Sequence, residues 1–333
     1  MAEKDDRRIT IDEAKKLLNK KYGEGTVMDG DDIPEGVVSV PTGCFSVDYV
    51  LGCGGIPRGR IIEIFGKESS GKSTLCSFII GQMQKAGAKC LYVDSENAFD
   101  AAFATNLGVS VKDLLLTQPG SLEEAMEQVQ TFLNTNSVDL IVVDSVATMT
   151  PRSEIDAPEI LGKESSMGLK ARLFGKALGV LNPLVKDTKT TIIFINQTRE
   201  QIGVMYGPKE TTPGGKALKF YSSVRLSVRA GERYLGANDE QIGNEIIIKA
   251  VKNKVAPPWR ECNISLYYKG GIDLASDIFE VGVKSEIITK SGNTYSYEGE
   301  KLGVGREQAV TSLRTNKELY EKVQNSIQSS LKR

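Results

Sequence analysis

Eight residues, Gly66-Lys67-Glu68-Ser69-Ser70-Gly71-Lys72-Ser73, fit the spacing G-x-x-x-x-G-K-[ST] of a phosphate-binding loop. Glycines permit the sharp turn, and backbone N–H groups at a helix N-terminus point at an anion. In such a loop Lys72 reaches the β- and γ-phosphates and the Ser73 hydroxyl meets Mg²⁺. A second metal-side group is expected where a buried strand ends. Leu140-Ile141-Val142-Val143-Asp144 supplies it, four apolar residues closed by an acid. The chain has no histidine, which removes every triad, dyad, zinc site or general base that needs an imidazole. A carboxylate must therefore activate any attacking water, and Glu96, just past the apolar run Cys90–Asp94, is the leading candidate. The plainer reading of Glu96 is a helix-capping carboxylate. Asn196-Gln197 closes another apolar run and opens a long connection. An amide there can sense the γ-phosphate and order the following loop; the plainer reading is a polar strand end.

These groups need a frame that brings strand ends together. Ile61–Phe65, Cys90–Asp94, Leu114–Thr117, Leu140–Asp144 and Thr191–Asn196 are short, almost wholly apolar runs. That pattern predicts strands buried on both faces, hence a parallel sheet. Thr74–Ile80 predicts the helix after the phosphate loop, and Ser121 with Glu124 predicts a capping box opening a helix over Ser121–Leu133. Ser223–Arg229 and Asn263–Tyr268 alternate and predict half-exposed, antiparallel strands extending one side of the sheet. An N-terminal helix is predicted from the Thr10/Glu13 capping box and an apolar stripe of Ile11, Ala14, Leu18 and Tyr22; it ends at Gly23 and Gly25. Its stripe must dock on its own domain or on another copy of the chain. A last helix is predicted from about Asn316 to Leu331. The expected divisions are 1–35, an N-terminal helical segment; 36–270, an α/β core around the phosphate loop; and 271–333, a small C-terminal domain. Two connections, about 149–166 and 198–217, are too long for ordinary links and are expected to be functional.

The 333 residues hold 42 Lys and Arg against 43 Asp and Glu, a net charge of −1, so a nucleic-acid partner requires basic residues concentrated locally. Arg199, Lys209, Lys216, Lys219 and Arg225 outnumber Glu200 and Glu210 around the second connection. Five cysteines without a C-x-x-C pair are expected as buried free thiols of a reducing compartment. No apolar run reaches the length of a membrane span, and the charged N-terminus lacks a signal-peptide core, so a cytoplasmic protein without a membrane partner is expected.

The motifs together carry a resemblance. Glu68–Ser73, Val142-Val143-Asp144-Ser145, Phe194-Ile195-Asn196-Gln197, Thr211-Thr212-Pro213-Gly214-Gly215, Ala217-Leu218-Lys219-Phe220-Tyr221 and Val251-Lys252-Asn253-Lys254 resemble the bacterial RecA recombinase family, in order, over almost the whole chain. The resemblance implies a RecA-type P-loop ATPase core with a mostly parallel twisted sheet, an N-terminal polymerisation helix and a small C-terminal domain contacting duplex DNA. It implies a DNA-dependent ATPase using ATP and Mg²⁺. Such a protein forms a helical filament with copies of itself on single-stranded DNA and exchanges strands with double-stranded DNA. It also implies stimulated self-cleavage of a LexA-type repressor in the SOS response.

By position, Gly66 through Ser73 with Thr74 surround the phosphates, while Ser73 and Asp144 hold the metal. Asp100, Phe103 and Tyr268 match positions around the adenine. Glu96 matches the water-activating carboxylate and Gln197 the γ-phosphate sensor. Lys252 and Lys254 match the pair that reaches ATP on the adjacent subunit, as an arginine finger does elsewhere. Met167, Gly168 and Arg172 match the first DNA-binding loop. Arg199, Ile202, Gly203, Val204, Met205, Tyr206, Thr211, Thr212, Gly214, Gly215 and Lys216 match the second.

The chain departs from the family pattern at Phe103, Asn97, Ser166 and Gly179, in a first loop a few residues longer than usual, and in lacking an acidic tail. Gly179 puts one DNA contact in doubt. The alternative reading is a ring-forming helicase on the same core.

Overall fold

A computed structural model describes residues 9–32, 36–156, 168–200 and 210–331. Contacts divide the chain into two units, Met1–Val37 and Val38–Arg333. In the first, α1 (Ile11–Tyr22) carries both halves of the predicted capping box, with the Thr10 hydroxyl accepting from the Glu13 N–H and the Glu13 carboxylate accepting from the Thr10 N–H. Asn19 clamps the returning chain at Val27 through both backbone groups, at 3.2 and 2.8 Å, and Lys15 pairs with Asp29 at 2.5 Å. No residue of α1 is buried, and Ile11 is 87% exposed.

The second unit is built on a nine-stranded sheet. Its strands are β1 (Ile61–Gly66), β2 (Cys90–Asp94), β3 (Leu114–Thr117), β4 (Leu140–Asp144), β5 (Thr191–Gln197), β6 (Val224–Leu235), β7 (Gln241–Asn253), β8 (Glu261–Tyr267) and β9 (Gly271–Ile272). They lie in the order β9-β8-β7-β6-β1-β5-β4-β2-β3. The six strands from β6 to β3 run parallel, and β6 through β9 form an antiparallel meander. Besides a single turn at Arg152–Ile155, the helices of this unit are α2 (Phe45–Leu51), α3 (Lys72–Lys85), α4 (Ala101–Asn106), α5 (Leu122–Asn134), α6 (Leu169–Thr188), α7 (Ala217–Tyr221), α8 (Leu274–Lys284), α9 (Arg306–Thr315) and α10 (Lys317–Leu331). The sheet is covered on both faces. Ile62, Ile64, Tyr92, Val142 and Ile193 pack with α2 and α3 residues such as Leu51, Leu75 and Ile79. The alternate residues Ile61, Leu91, Val143 and Phe194 pack with α5 and α6 residues such as Val129, Phe174 and Leu178. This two-sided burial explains the continuous apolar runs of β1, β2, β4 and β5.

Three local expectations are corrected, and one strand was missed. β6, expected antiparallel, runs parallel to β1 over Val224–Ser227 and antiparallel only to β7; its alternation reports a half-exposed face, not a pairing direction. β7, among the longest strands, drew no expectation, because its charged residues interrupt the apolar pattern. β3, expected to be buried on both faces, is the sheet edge, with Leu115 43% and Leu116 44% exposed. At α5, Ser121 accepts from the Glu124 N–H, but the Glu124 carboxylate accepts from Gly120 N–H, so only half of the capping box forms.

The C-terminal segment forms a three-stranded antiparallel sheet, β10 (Ile288–Ser291), β11 (Thr294–Tyr297) and β12 (Glu300–Val304), backed by α8, α9 and α10. Its apolar core takes in Phe45 from α2. Asp277 of α8 is buried and accepts from the N–H groups of Phe45 (2.6 Å) and Ser46 (3.0 Å) and from the Cys44 thiol (3.2 Å). A buried carboxylate thus caps the N-terminus of α2 across 232 residues of sequence.

Candidate active site

The parallel strands deliver the chemistry-bearing residues to one edge. β1 ends at Gly66, β2 at Asp94, β4 at Asp144 and β5 at Gln197, all at their C-terminal ends. Ligands of open α/β sheets sit at such ends. Between β1 and α3 the loop turns through Ser69 (φ 54°) and Gly71 (φ 90°). The positive φ calls for glycine at Gly71, where a Cβ would also press on the tip of Ile246, 2.5 Å from its Cδ1.

Lys72 is buried, and its ammonium donates to the Lys67 carbonyl at 2.6 Å, holding it inside the loop. Burial pulls Lys72 below the ordinary lysine range, and the charges of Asp144 and Glu96 partly offset this. Ser70 is buried with a hydroxyl oxygen that meets no hydrogen-bond partner. An orphaned hydroxyl in a loop of this spacing is what an anion would satisfy.

Ser73 donates to Asp144 Oδ2 at 2.6 Å, and the Tyr92 hydroxyl donates to the same oxygen at 2.7 Å. Burial raises the Asp144 carboxyl above its ordinary value; the two hydroxyl donors act against that shift. Tyr92 titrates far above its usual value, from burial and from the adjoining carboxylate, and stays a donor. Among the described residues no cluster of three or more acidic, cysteine or histidine side chains could hold a metal. The donor set at Ser73 and Asp144 is two hard oxygens, which suits Mg²⁺ completing its shell with phosphate and water.

Ser73, Thr74, Glu96, Asp100, Phe103 and Asp144 line one cleft of about 120 Å³, together with Tyr92 and Phe99. Asp100 caps α4, accepting from the Phe103 N–H at 2.9 Å. A larger cleft of about 860 Å³ lies elsewhere, between the β8–β9 turn and α9 and α10. Size does not make it the reactive site, since the phosphate loop and strand-end acids are absent from its lining. Tyr268 is 41% exposed, accepts from Gln241 at 2.7 Å, and does not line the small cleft.

Glu96 Oε1 accepts from the Ser145 hydroxyl at 2.7 Å and from the Gln197 side-chain amide at 3.2 Å. Asn196 has a different task. It is fully buried, donates to Glu63 (3.1 Å) and to the Pro213 carbonyl (3.0 Å), and accepts the Gln197 N–H (3.1 Å). It ties the end of β5 to the far stem of the second loop. Glu63, wholly buried, also binds Arg225 at 2.5 Å, and that guanidinium lies over Phe65 at 4.5 Å. Arg225 is therefore committed to a buried ion pair and drops out of the positive strip expected around the second connection. Sequence reading missed Tyr92, Ser145 and Glu63. Each is a polar side chain at an apolar strand, which is the signal that could have marked them.

The loop stems converge. Arg199–Glu200 pairs antiparallel with Glu210–Thr211, and Thr212 is buried. Gly214 and Gly215 both have positive φ, and a Cβ at Gly215 would stand 2.8 Å from Ala171 Cβ in the first turn of α6. Gly168, Arg172, Arg199 and Lys216 are exposed here. Lys170 donates to the Ala147 carbonyl at 2.8 Å; burial, with Arg199 close by, brings its ammonium down to about 8. Met167, Ile202, Gly203, Val204, Met205, Tyr206 and Lys209 lie outside the described residues. Lys252 donates to the carbonyls of Lys219 (2.6 Å) and Phe220 (3.0 Å). Neither Lys252 nor Lys254 lines this chain's own cleft.

The fold and the loop define a P-loop ATPase. Two family descriptions match in tandem, the RecA N-terminal domain over residues 9–273 and the RecA C-terminal domain over 276–332. The chain belongs to the RecA family. Protein RecA of Campylobacter jejuni is 46% identical over 98% of this chain and 95% of its own length. Protein RecA of Bacillus subtilis is 45% identical over 97% and 92%, and that of Lactobacillus acidophilus 42% over 98% and 89%. Matches of this extent do not favour the ring-helicase reading.

Proposed function

We propose that the chain is a DNA-dependent ATPase that assembles on single-stranded DNA and pairs it with homologous duplex in recombinational repair. The observation that carries this is the junction at Glu96. Glu96, the carboxylate we assign to the attacking water, accepts from the Gln197 amide, and Gln197 ends the strand that opens the second loop. Glu96 polarises the attacking water while Ser145 and Gln197 fix its orientation. Bound ATP–Mg²⁺ supplies the phosphoryl group and the charge neutralisation. Lys72 with the loop N–H groups holds the phosphates; Ser73 and Asp144 hold the metal; Asp100, Phe103 and Tyr268 flank the base. Departure of the γ-phosphate frees the Gln197 amide, and Asn196 passes the change to Pro213 at the loop's far stem.

The exposed cations Arg172, Arg199 and Lys216, with the backbone at Gly214-Gly215, serve the DNA phosphates, and apolar loop side chains wedge between bases. Lys252 and Lys254 serve ATP on the next copy, which makes assembly and hydrolysis interdependent. The exposed stripe of α1 supports its docking on a neighbouring copy. The same assembly stimulates self-cleavage of a LexA-type repressor in the SOS response. The segment from 271 onward contacts duplex DNA, and the protein works in the cytoplasm; no helix among the described residues is long and apolar enough to cross a membrane.

The test is ATP turnover with and without single-stranded DNA across a salt series, for the wild type and Lys72→Ala. Expected are stimulation by DNA, a steep loss of stimulation with salt, and no turnover in Lys72→Ala. Turnover indifferent to DNA would refute the reading.

A further inference from the structure

Tyr92 is a polar atom placed inside an apolar strand. β2 and β4 are parallel, with Tyr92 opposite Val142 and Asp94 opposite Asp144. Val142 and Asp144 are two apart and share a face, so the Tyr92 side chain lies diagonal to Asp144 on the side facing α3. The ring is 3% exposed and packs on Phe99 with centroids 5.0 Å apart, so the hydroxyl has one direction to point. It points at Asp144 Oδ2, 2.7 Å away. Ser73 donates to that same oxygen from the first turn of α3. Among the described residues none donates to Oδ1.

From this geometry we infer that Tyr92 is a positioning residue for the metal side of the cleft: its hydroxyl pins Asp144 Oδ2 and so holds the carboxylate beside Ser73. The inference rests on the reading of the cleft as an ATP–Mg²⁺ site. Two donors on one oxygen fix the carboxylate plane. A carboxylate held by Ser73 alone would swing whenever that serine turned toward a cation. Outer partners of this kind orient ligating groups, and their loss typically costs about 10–100-fold in metal affinity or activity. The bland alternative is a buried phenol satisfying its own hydrogen bond with the nearest acceptor. The two readings differ in what happens to metal dependence.

Tyr92→Phe removes one oxygen and keeps the ring against Phe99. The readout is binding of a fluorescent N-methylanthraniloyl-ATP to the full chain, over a Mg²⁺ series and in EDTA, without DNA. Expected is a Mg²⁺ midpoint raised roughly tenfold, with affinity in EDTA unchanged. In an Asp144→Ala background the same substitution is expected to leave the midpoint where Asp144→Ala alone puts it. A Tyr92→Phe midpoint equal to wild type, or affinity falling equally with and without metal, overturns the assignment. An unaltered wild-type affinity in Lys72→Ala would instead overturn the reading of the cleft itself.

Discussion

At the scale of single residues, the reaction centre is a short chain of hydrogen bonds around Glu96 and Asp144. Both oxygens that matter are shared acceptors: Glu96 Oε1 takes Ser145 and Gln197, and Asp144 Oδ2 takes Ser73 and Tyr92. Glu96→Gln keeps an acceptor for Ser145 and Gln197 but removes the base. We expect ATP binding within about twofold of wild type and turnover lower by about 10²–10⁴-fold, the usual worth of a general base. Equilibrium nucleotide binding and single-turnover hydrolysis separate the two; near-normal hydrolysis would exclude Glu96 as the base. The candidate residues themselves were legible, because a phosphate loop fixes residue types at fixed spacing. Their partners were not. Nothing in Cys90–Asp94 says that the Tyr92 hydroxyl faces Asp144, 52 residues away, since that depends on strand register.

At the scale of elements, α2 is the joint between the sheet and the C-terminal segment. Asp277 caps its N-terminus, and Asp48 within it closes the entering turn, accepting from the Thr42 N–H (3.0 Å) and hydroxyl (2.7 Å). Burial raises the Asp48 carboxyl to about 6, partly opposed by those two donors. A carboxyl whose folded value lies above its unfolded one favours folding while protonated. Its contribution is full below about 4 and is lost as pH rises through about 6. Asp48→Asn keeps the acceptor and removes the titration. The variant is therefore expected to gain on wild type by roughly 2–3 kcal/mol between pH 4 and 7. Urea unfolding of both proteins at several pH values checks it; parallel stability curves would refute it. Element type was readable where burial is two-sided, as in β1, β2, β4 and β5. At β3 and β6 the strand was readable too, but the burial of β3 and the pairing direction of β6 were not, because the apolar pattern of a strand does not say which neighbour it has.

At the scale of the whole molecule, the net charge of −1 hides a local arrangement. Exposed Arg172, Arg199 and Lys216 gather where the loop stems meet, while Arg225 is withdrawn into the Glu63 pair. The N-terminal unit has the opposite problem, apolar side chains without cover. Ile11, Leu17 and Tyr22 are 87%, 59% and 63% exposed, more than a lone helix of this length can sustain on propensity alone. Deleting residues 1–25 is expected to abolish assembly on single-stranded DNA with a slowly hydrolysed ATP analogue. The thermal midpoint of the remainder should stay close to that of the full chain, because α1 buries none of its residues. Electron microscopy and calorimetry read the two effects. Filaments of the truncated chain would show that α1 is not the subunit link.

The amino-acid order by itself determined the phosphate loop, the strand-end acids, the exclusion of imidazole chemistry and the α/β class. Each follows from residue type at short range, or from apolar runs that only a doubly covered sheet can accommodate. Tertiary structure alone decided which strands neighbour which, that Arg225 serves Glu63 rather than a ligand, that Asn196 holds Pro213 while Gln197 faces Glu96, and that Tyr92 completes the setting of Asp144. Those are contacts between residues 17 to 162 apart in sequence. They exist only once sheet order and register have placed side chains from separate strands on one face.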